Sequence, residues 1–192
     1  MRRMFAFATA AALLAAAIPV GAIQFANGET AFNHIPTLIG YSLSDRTLDA
    51  RAYYNVRIQV PQDSDIGLGR IVLGLANPNN PNTFAPVPGS NDVIATESSP
   101  SEAMPVTVTV GSNNGVRFDR QVINGAAQLD GSQLAVTFDK PIPAGSQVNV
   151  EWYGRNPATE GTYLVDVVAF PSGDAPRGQF LGFARYNVGT NL

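Results

Sequence analysis

Cysteine is absent from the 192 residues, and histidine and lysine occur once each, as His34 and Lys140. Without cysteine there is no disulfide, thiolate metal site, iron–sulfur cluster or cysteine nucleophile, and no thioether to carry a lipid. A blue-copper centre needs two histidines and one cysteine, which this chain cannot supply. Serine catalysis lacks its parts as well. No Gly-x-Ser-x-Gly elbow occurs, the only imidazole base is His34, and Lys140 stands beside Pro141 without a Ser-x-x-Lys spacing. His34 itself, in Phe32-Asn33-His34-Ile35-Pro36, reads as a surface or turn residue. The sequence therefore predicts no metal, no cofactor and no catalytic residue.

Charge is also sparse, with charged residues making up 14% of the chain. The one sustained apolar stretch, Met4 to Val20, follows Met1-Arg2-Arg3 and ends at Pro19 and Val20-Gly21-Ala22. A positive start, a short apolar core and a small-residue exit predict a signal peptide over residues 1–22, cut after Ala22. The stretch falls short of the roughly 20 strongly apolar residues of a membrane span, so none is expected after cleavage. Arg2-Arg3-Met4-Phe5 echoes the twin-arginine export signal, but Ala6 stands where a bulky apolar residue is usual. The mature terminus would be Ile23, which also excludes a histidine-brace copper site.

Cleavage removes 22 of the 192 residues and leaves 170, enough for one domain that buries a sizeable core without staples. It also removes two arginines from the 12 basic residues, leaving ten against 15 acidic, a net charge of −5. With no basic run, such a surface offers nothing to nucleic acid or an anionic membrane.

Beyond the signal the recurring pattern is alternation. Tyr54, Val56, Ile58 and Val60 alternate with Asn55, Arg57 and Gln59, and Ile71, Leu73 and Leu75 follow after a turn from Pro61 to Gly69. Val106, Val108 and Val110 lead to a turn at Gly111 to Gly115; Leu134, Val136 and Phe138 lead to a turn at Pro141 to Gly145. Val148, Val150 and Trp152 come next. In Tyr163 to Phe170 both faces are apolar, which predicts a strand buried on both sides, and a last strand runs from about Phe180 to Val188. About eight short strands with near-regular turns predict an antiparallel, Ig-like β-sandwich over residues 52–192. The N-terminal segment 23–51 is expected to pack on it.

The C-terminal third carries the most specific text. Phe138-Asp139-Lys140-Pro141-Ile142-Pro143-Ala144-Gly145 is followed by Asn156-Pro157 and Gly161-Thr162-Tyr163-Leu164. Ala169-Phe170-Pro171-Ser172-Gly173 and Phe180-Leu181-Gly182-Phe183-Ala184-Arg185 complete the series. Over roughly Ala52 to Val188 this order of motifs resembles a family of exported, mostly cyanobacterial proteins catalogued as domain of unknown function 2808. The resemblance implies export and a β-rich fold, and carries no activity or site residues. Residues 77–101, rich in Pro and Ser, depart from it. The prolines and glycines of these motifs read as strand connectors.

Four further groups bear on function. Asp166 interrupts an apolar strand and pairs either with Glu151 or Asp139 as a general acid, or with Arg155 or Arg185, or lies exposed. Asp63-Ser64-Asp65 matches the start of a calcium loop, but position 12 is Gly74 rather than a bidentate acid; a turn is the better reading. Gln179 to Tyr186 partly mimics an RNA-recognition strand, which an acidic chain without a basic patch makes a coincidence. Trp152 keeps phase with Val148 and Val150 and belongs in the core, which turns Tyr153, like Tyr53, outward.

These readings converge on a non-catalytic binding or structural module, exported to the periplasm or cell envelope or beyond the cell. Its partner would be an envelope protein or a glycan, with contacts expected in the Asn77–Ser101 loop. The alternative is a carboxylate-dependent enzyme processing a glycan or small molecule through Asp166.

Overall fold

A computed structural model describes residues 23–75, 106–113, 118–122, 125–130 and 133–189. The predicted signal peptide and the Asn77–Ser101 loop lie outside the described residues. Among those described there is no helix, and twelve strands run in chain order. They are β1 (Ile23–Gln24), β2 (Thr30–Ala31), β3 (Thr37–Leu43), β4 (Arg51–Gln59), β5 (Leu68–Gly74) and β6 (Val106–Asn113). They continue as β7 (Phe118–Val122), β8 (Gly125–Asp130), β9 (Gln133–Ile142), β10 (Ser146–Arg155), β11 (Gly161–Pro171) and β12 (Gln179–Val188).

Two five-stranded antiparallel sheets face each other. The first has the order β3-β4-β10-β6-β7, the second β12-β11-β5-β9-β8, and β1 and β2 form a small ribbon. The chain changes sheets after β4, β5, β7, β9 and β10, so the central strands of each sheet are far apart in sequence. Alternation decides the layering. Ala52, Tyr54, Val56 and Ile58 of β4 and Val148, Val150 and Trp152 of β10 point inward from the first sheet. Leu68, Ile71 and Leu73 of β5, Leu134, Val136 and Phe138 of β9, and Tyr163, Val165, Val167 and Ala169 of β11 meet them from the second. Each fully buried Val, Leu, Ile or Phe side chain among them contributes about 1.5–3 kcal/mol.

An aromatic cluster fills one end of the core. The Tyr54 ring stacks on Trp152 with centroids 5.4 Å apart, and Tyr186 meets Tyr54 edge-on at 5.2 Å. Among the described residues the Trp152 indole Nε1 has no hydrogen-bond partner, so this residue is held by packing and stacking alone. Tyr163, near the start of β11, donates its hydroxyl to the backbone oxygen of Thr159 at 2.6 Å. That back-reaching bond, four residues upstream, is the arrangement of the tyrosine corner in immunoglobulin-like sandwiches.

Four details differ from the sequence reading. Gly111 to Asn113 continue β6 instead of turning, since a small residue is no obstacle in a strand paired on both flanks. β9 extends through Pro141 and the buried Ile142, so the reversal into β10 is confined to Pro143–Gly145, with Gly145 at φ 76°. β11 is hydrogen-bonded on both edges, but its outer face is uncovered: Leu164 and Asp166 are exposed, and Val168 and Phe170 are partly so. Within residues 23–51, β3 is paired to β4 and forms the outer strand of the first sheet.

Candidate functional site

The outer face of the first sheet collects the polar halves of β4 and β10. Their register sets Arg51 opposite Arg155, Tyr53 opposite Tyr153, Asn55 opposite Glu151, Arg57 opposite Asn149 and Gln59 opposite Gln147. On β6 the same rows continue with Thr107 beside Glu151 and Thr109 beside Asn149. From Arg51 to Arg57 the face runs about 20 Å along the strand. Every one of these side chains alternates with a core residue, and that alternation is what turns them outward together.

The Tyr53 and Tyr153 rings lie 4.9 Å apart at 45°, with Tyr53 53% exposed. The sequence predicted both outward, and the register adds that they are directly opposite. Asn55 donates its side-chain amide to the Asn149 side-chain oxygen diagonally across the strands, which ties the two amides together on this face. Gln59 donates to the backbone oxygens of Val60, Gly145 and Ser146 at 2.9–3.2 Å, so it fastens the end of the face and is not free for a ligand. The Arg57 guanidinium lies across Gly40 of β3, and a Cβ built there would fall 2.5 Å from its Nη2.

Arg155 is engaged by Asp49, Nη2 to Oδ2 at 2.7 Å. Among the described residues Arg51, Arg57 and Glu151 form no ion pair. Two arginines directly opposite one another are an unfavourable cross-strand pair, and Asp49 neutralises only one of them.

The loop after β3 is pinned from beneath this face. Asn156, 3% exposed, donates its amide to the backbone oxygens of Asp45 and Thr47 at 2.9 and 2.7 Å, and accepts the Tyr54 hydroxyl. The Thr47 backbone N–H and side chain hold the Asp45 carboxyl below the ordinary carboxylate range. Leu43 to Leu48 and Gly189 line an open depression of ≈ 540 Å³. Asn156 beside Pro157 read as a turn residue in the sequence; nothing local signals its role, because its partners come from β4 and the β3–β4 loop.

The carboxylates named from the sequence are not brought together. Asp166 is exposed on the outer face of the second sheet and Glu151 lies on the outer face of the first, with both sheets between them. Asp139 shares a face with Asp166 but sits six residues along β9 from Gln133, which shares Asp166's row through Gly74. That is about 20 Å along the strand, against the roughly 5–9.5 Å of glycosidase pairs. Among the described residues Asp166 forms no ion pair with Arg155 or Arg185; it is an exposed acid.

The Asp63–Asp65 turn is occupied by its own neighbours. The Asn33 amide donates to the Asp65 carboxylate at 2.7 Å, and His34 Nδ1 lies 3.3 Å from Asp63. Among the described residues no group of three His, Asp or Glu gathers as a metal would need. On the second sheet Phe180 and Phe183 of β12, 55% and 50% exposed, pack edge to face at 5.0 Å. With Leu164 and Val168 they make an apolar patch on an outer face that also carries Asp166 and Arg185.

Residues 29–188 match the family described as Protein of unknown function (DUF2808). The chain belongs to this family. In DUF2808 terms the match runs from just before β2 to the end of β12, and includes both sheets and the polar face. No curated protein matches the chain. Among solved structures it is similar to the RrgA Jo.In complex (13% identity, 85% of this chain and 89% of that chain, TM-score 0.45). It is also similar to an uncharacterized protein from Nocardia farcinica with an immunoglobulin-like fold (15% identity, 79% and 97%, TM-score 0.41). A DUF4466 family protein from Parabacteroides merdae matches at 7% identity over 82% of this chain with TM-score 0.43, and this chain spans 44% of its length.

Proposed function

We propose that this chain is an exported, non-catalytic binding module of the periplasm or cell envelope, and that it meets its partner through the outer face of the first sheet. The observation that carries this reading is the Tyr53–Tyr153 pair, two phenols directly opposite at 4.9 Å and set among amides and guanidinium groups on an open sheet face. Exposed tyrosines offer rigid amphipathic contact area at low entropic cost. Among the described residues Arg51, Arg57 and Glu151 around them form no ion pair. Export rests on the positive, apolar and small-residue sequence of residues 1–22.

The test is capture from envelope extract on immobilised protein. Bound proteins are identified by mass spectrometry and bound saccharides by sugar analysis, with the double variant Tyr53→Ala/Tyr153→Ala in parallel. The expected result is material held by the natural chain and lost with the double variant. Equal capture by both would remove the face from the reading, and no capture by either would overturn the binding module. For export, N-terminal sequencing of the fractionated protein is expected to begin at Ile23; a cytoplasmic protein still beginning at Met1 would overturn that part.

A further inference from the structure

The charge on the tyrosine face runs against the charge of the molecule. Acidic residues outnumber basic ones, 15 to 12, over the whole chain. Yet the outward positions of β4 and β10 between Arg51 and Gln59 carry Arg51, Arg57 and Arg155 against the single acid Glu151. Arg51 stands directly opposite Arg155 with only Asp49, bound to Arg155 at 2.7 Å, to offset the pair. Like charges set opposite across two strands oppose folding, and here they lie one row from the two tyrosines. Arg57 stands two rows beyond the tyrosines, is exposed, and packs its guanidinium against Gly40.

We propose that this face binds a carboxylate-bearing polysaccharide. It rests on the reading above that the Tyr53–Tyr153 face is where the partner binds. The apolar faces of the sugar rings stack on Tyr53 and Tyr153, and carboxylates along the chain pair with Arg51 at one end and Arg57 at the other. Asn55 meets the hydroxyls between, and Asn149 and Thr109 meet those beside Arg57. A guanidinium offers a carboxylate two parallel N–H donors, and about 20 Å between the two arginines gives room for several linked rings. Exposed side chains in line along two paired strands, Arg51, Tyr53 and Arg57 on one of them, suit an extended chain rather than a small molecule held on all sides.

The experiment is affinity electrophoresis of the protein in gels containing polygalacturonate, its methyl ester, dextran or polyglutamate. The expected result is retardation by polygalacturonate that fades between about 0.05 and 0.5 M salt, with little or none by the other three. Arg51→Gln/Arg57→Gln should weaken it about tenfold, as loss of charge-assisted bonds does, and Tyr53→Ala/Tyr153→Ala should abolish it. Gly40→Val displaces the Arg57 side chain without altering its charge, and should weaken binding severalfold while the melting curve stays cooperative.

Equal retardation by polyglutamate would overturn the proposal in favour of an acidic peptide partner. Equal retardation by the methyl ester or dextran would overturn it in favour of neutral sugars. No retardation by any polymer, with tyrosine-dependent capture from envelope extract intact, would overturn the polysaccharide and leave the binding module standing. Loss of that capture would remove both.

Discussion

Tyr54 and Asn156 are 102 residues apart in sequence and joined in the core by the tyrosine hydroxyl donating to the asparagine side-chain oxygen. Asn156 in turn donates to the Asp45 and Thr47 carbonyls, so one buried amide ties β4, the start of the β10–β11 link and the β3–β4 loop. Asn156→Ala should destabilise the protein by about 2–4 kcal/mol, because a buried hydroxyl and two part-buried carbonyl bonds lose this partner. Tyr54→Phe should cost about 1–2 kcal/mol, and the double variant should cost less than the sum of the two. Urea unfolding of all four proteins measures the cycle; strict additivity would show that the bond has no energetic weight.

Trp152 is 1% exposed between Tyr54 and Tyr186. Trp152→Ala should cost about 3–5 kcal/mol by emptying a core site. A melting temperature equal to that of the natural chain would contradict the packing described.

Burial raises the Tyr54 and Tyr186 hydroxyls above the ordinary tyrosine range, reinforced for Tyr54 by Tyr163 and for Tyr186 by Tyr54 and Tyr41. In the folded protein both phenols keep their protons at pH values where the unfolded chain releases them, above about 10. The unfolded state then binds fewer protons, so their contribution is complete below pH about 10 and declines as pH rises further. Urea midpoints measured between pH about 9 and 11.5 should fall with pH, and fall less steeply in Tyr54→Phe and Tyr186→Phe. Identical slopes in all three would place the alkaline sensitivity elsewhere.

Chelation should leave the melting curve unchanged. The Asp65 carboxylate is already engaged by the Asn33 amide, and Asp63 faces His34. A fall in melting temperature with EDTA, restored by calcium, would show that the Asp63–Asp65 turn holds an ion.

What was legible in the sequence was whatever a two-sided strand must display. β4, β5, β9 and β10 lie between neighbours, so each needs a full row of apolar residues on its inner face, and each announced itself by alternation. The missed long strands, β3, β7 and β8, are all outermost in their sheets. β3 carries an irregularity between Leu38 and Gly40 that breaks its phase, and Gly125 to Asp130 has a single large apolar residue, Leu129.

β11 misled in the other direction. Its second apolar row, Leu164, Val168 and Phe170, reads as burial, yet the structure leaves that row on the outside beside Phe180 and Phe183. Tyr53 and Tyr153 could each be turned outward from phase alone. Their meeting, and the meeting of Arg51 with Arg155, depends on the β4–β10 register, which pairs segments about 100 residues apart.

The outermost strands β3 and β12 lie alongside each other, Tyr41 against Tyr186 with ring centroids 5.9 Å apart, and a Cβ on Gly182 would touch Leu38 at 3.8 Å. An open sheet margin is a template on which another chain can add a strand and begin a fibre. At the opposite flank the two sheets end in β7 and β8. On the β3–β12 flank Leu38 and Tyr41 of β3 stand against β12, so a strand adding to either margin would have to fit beside those side chains.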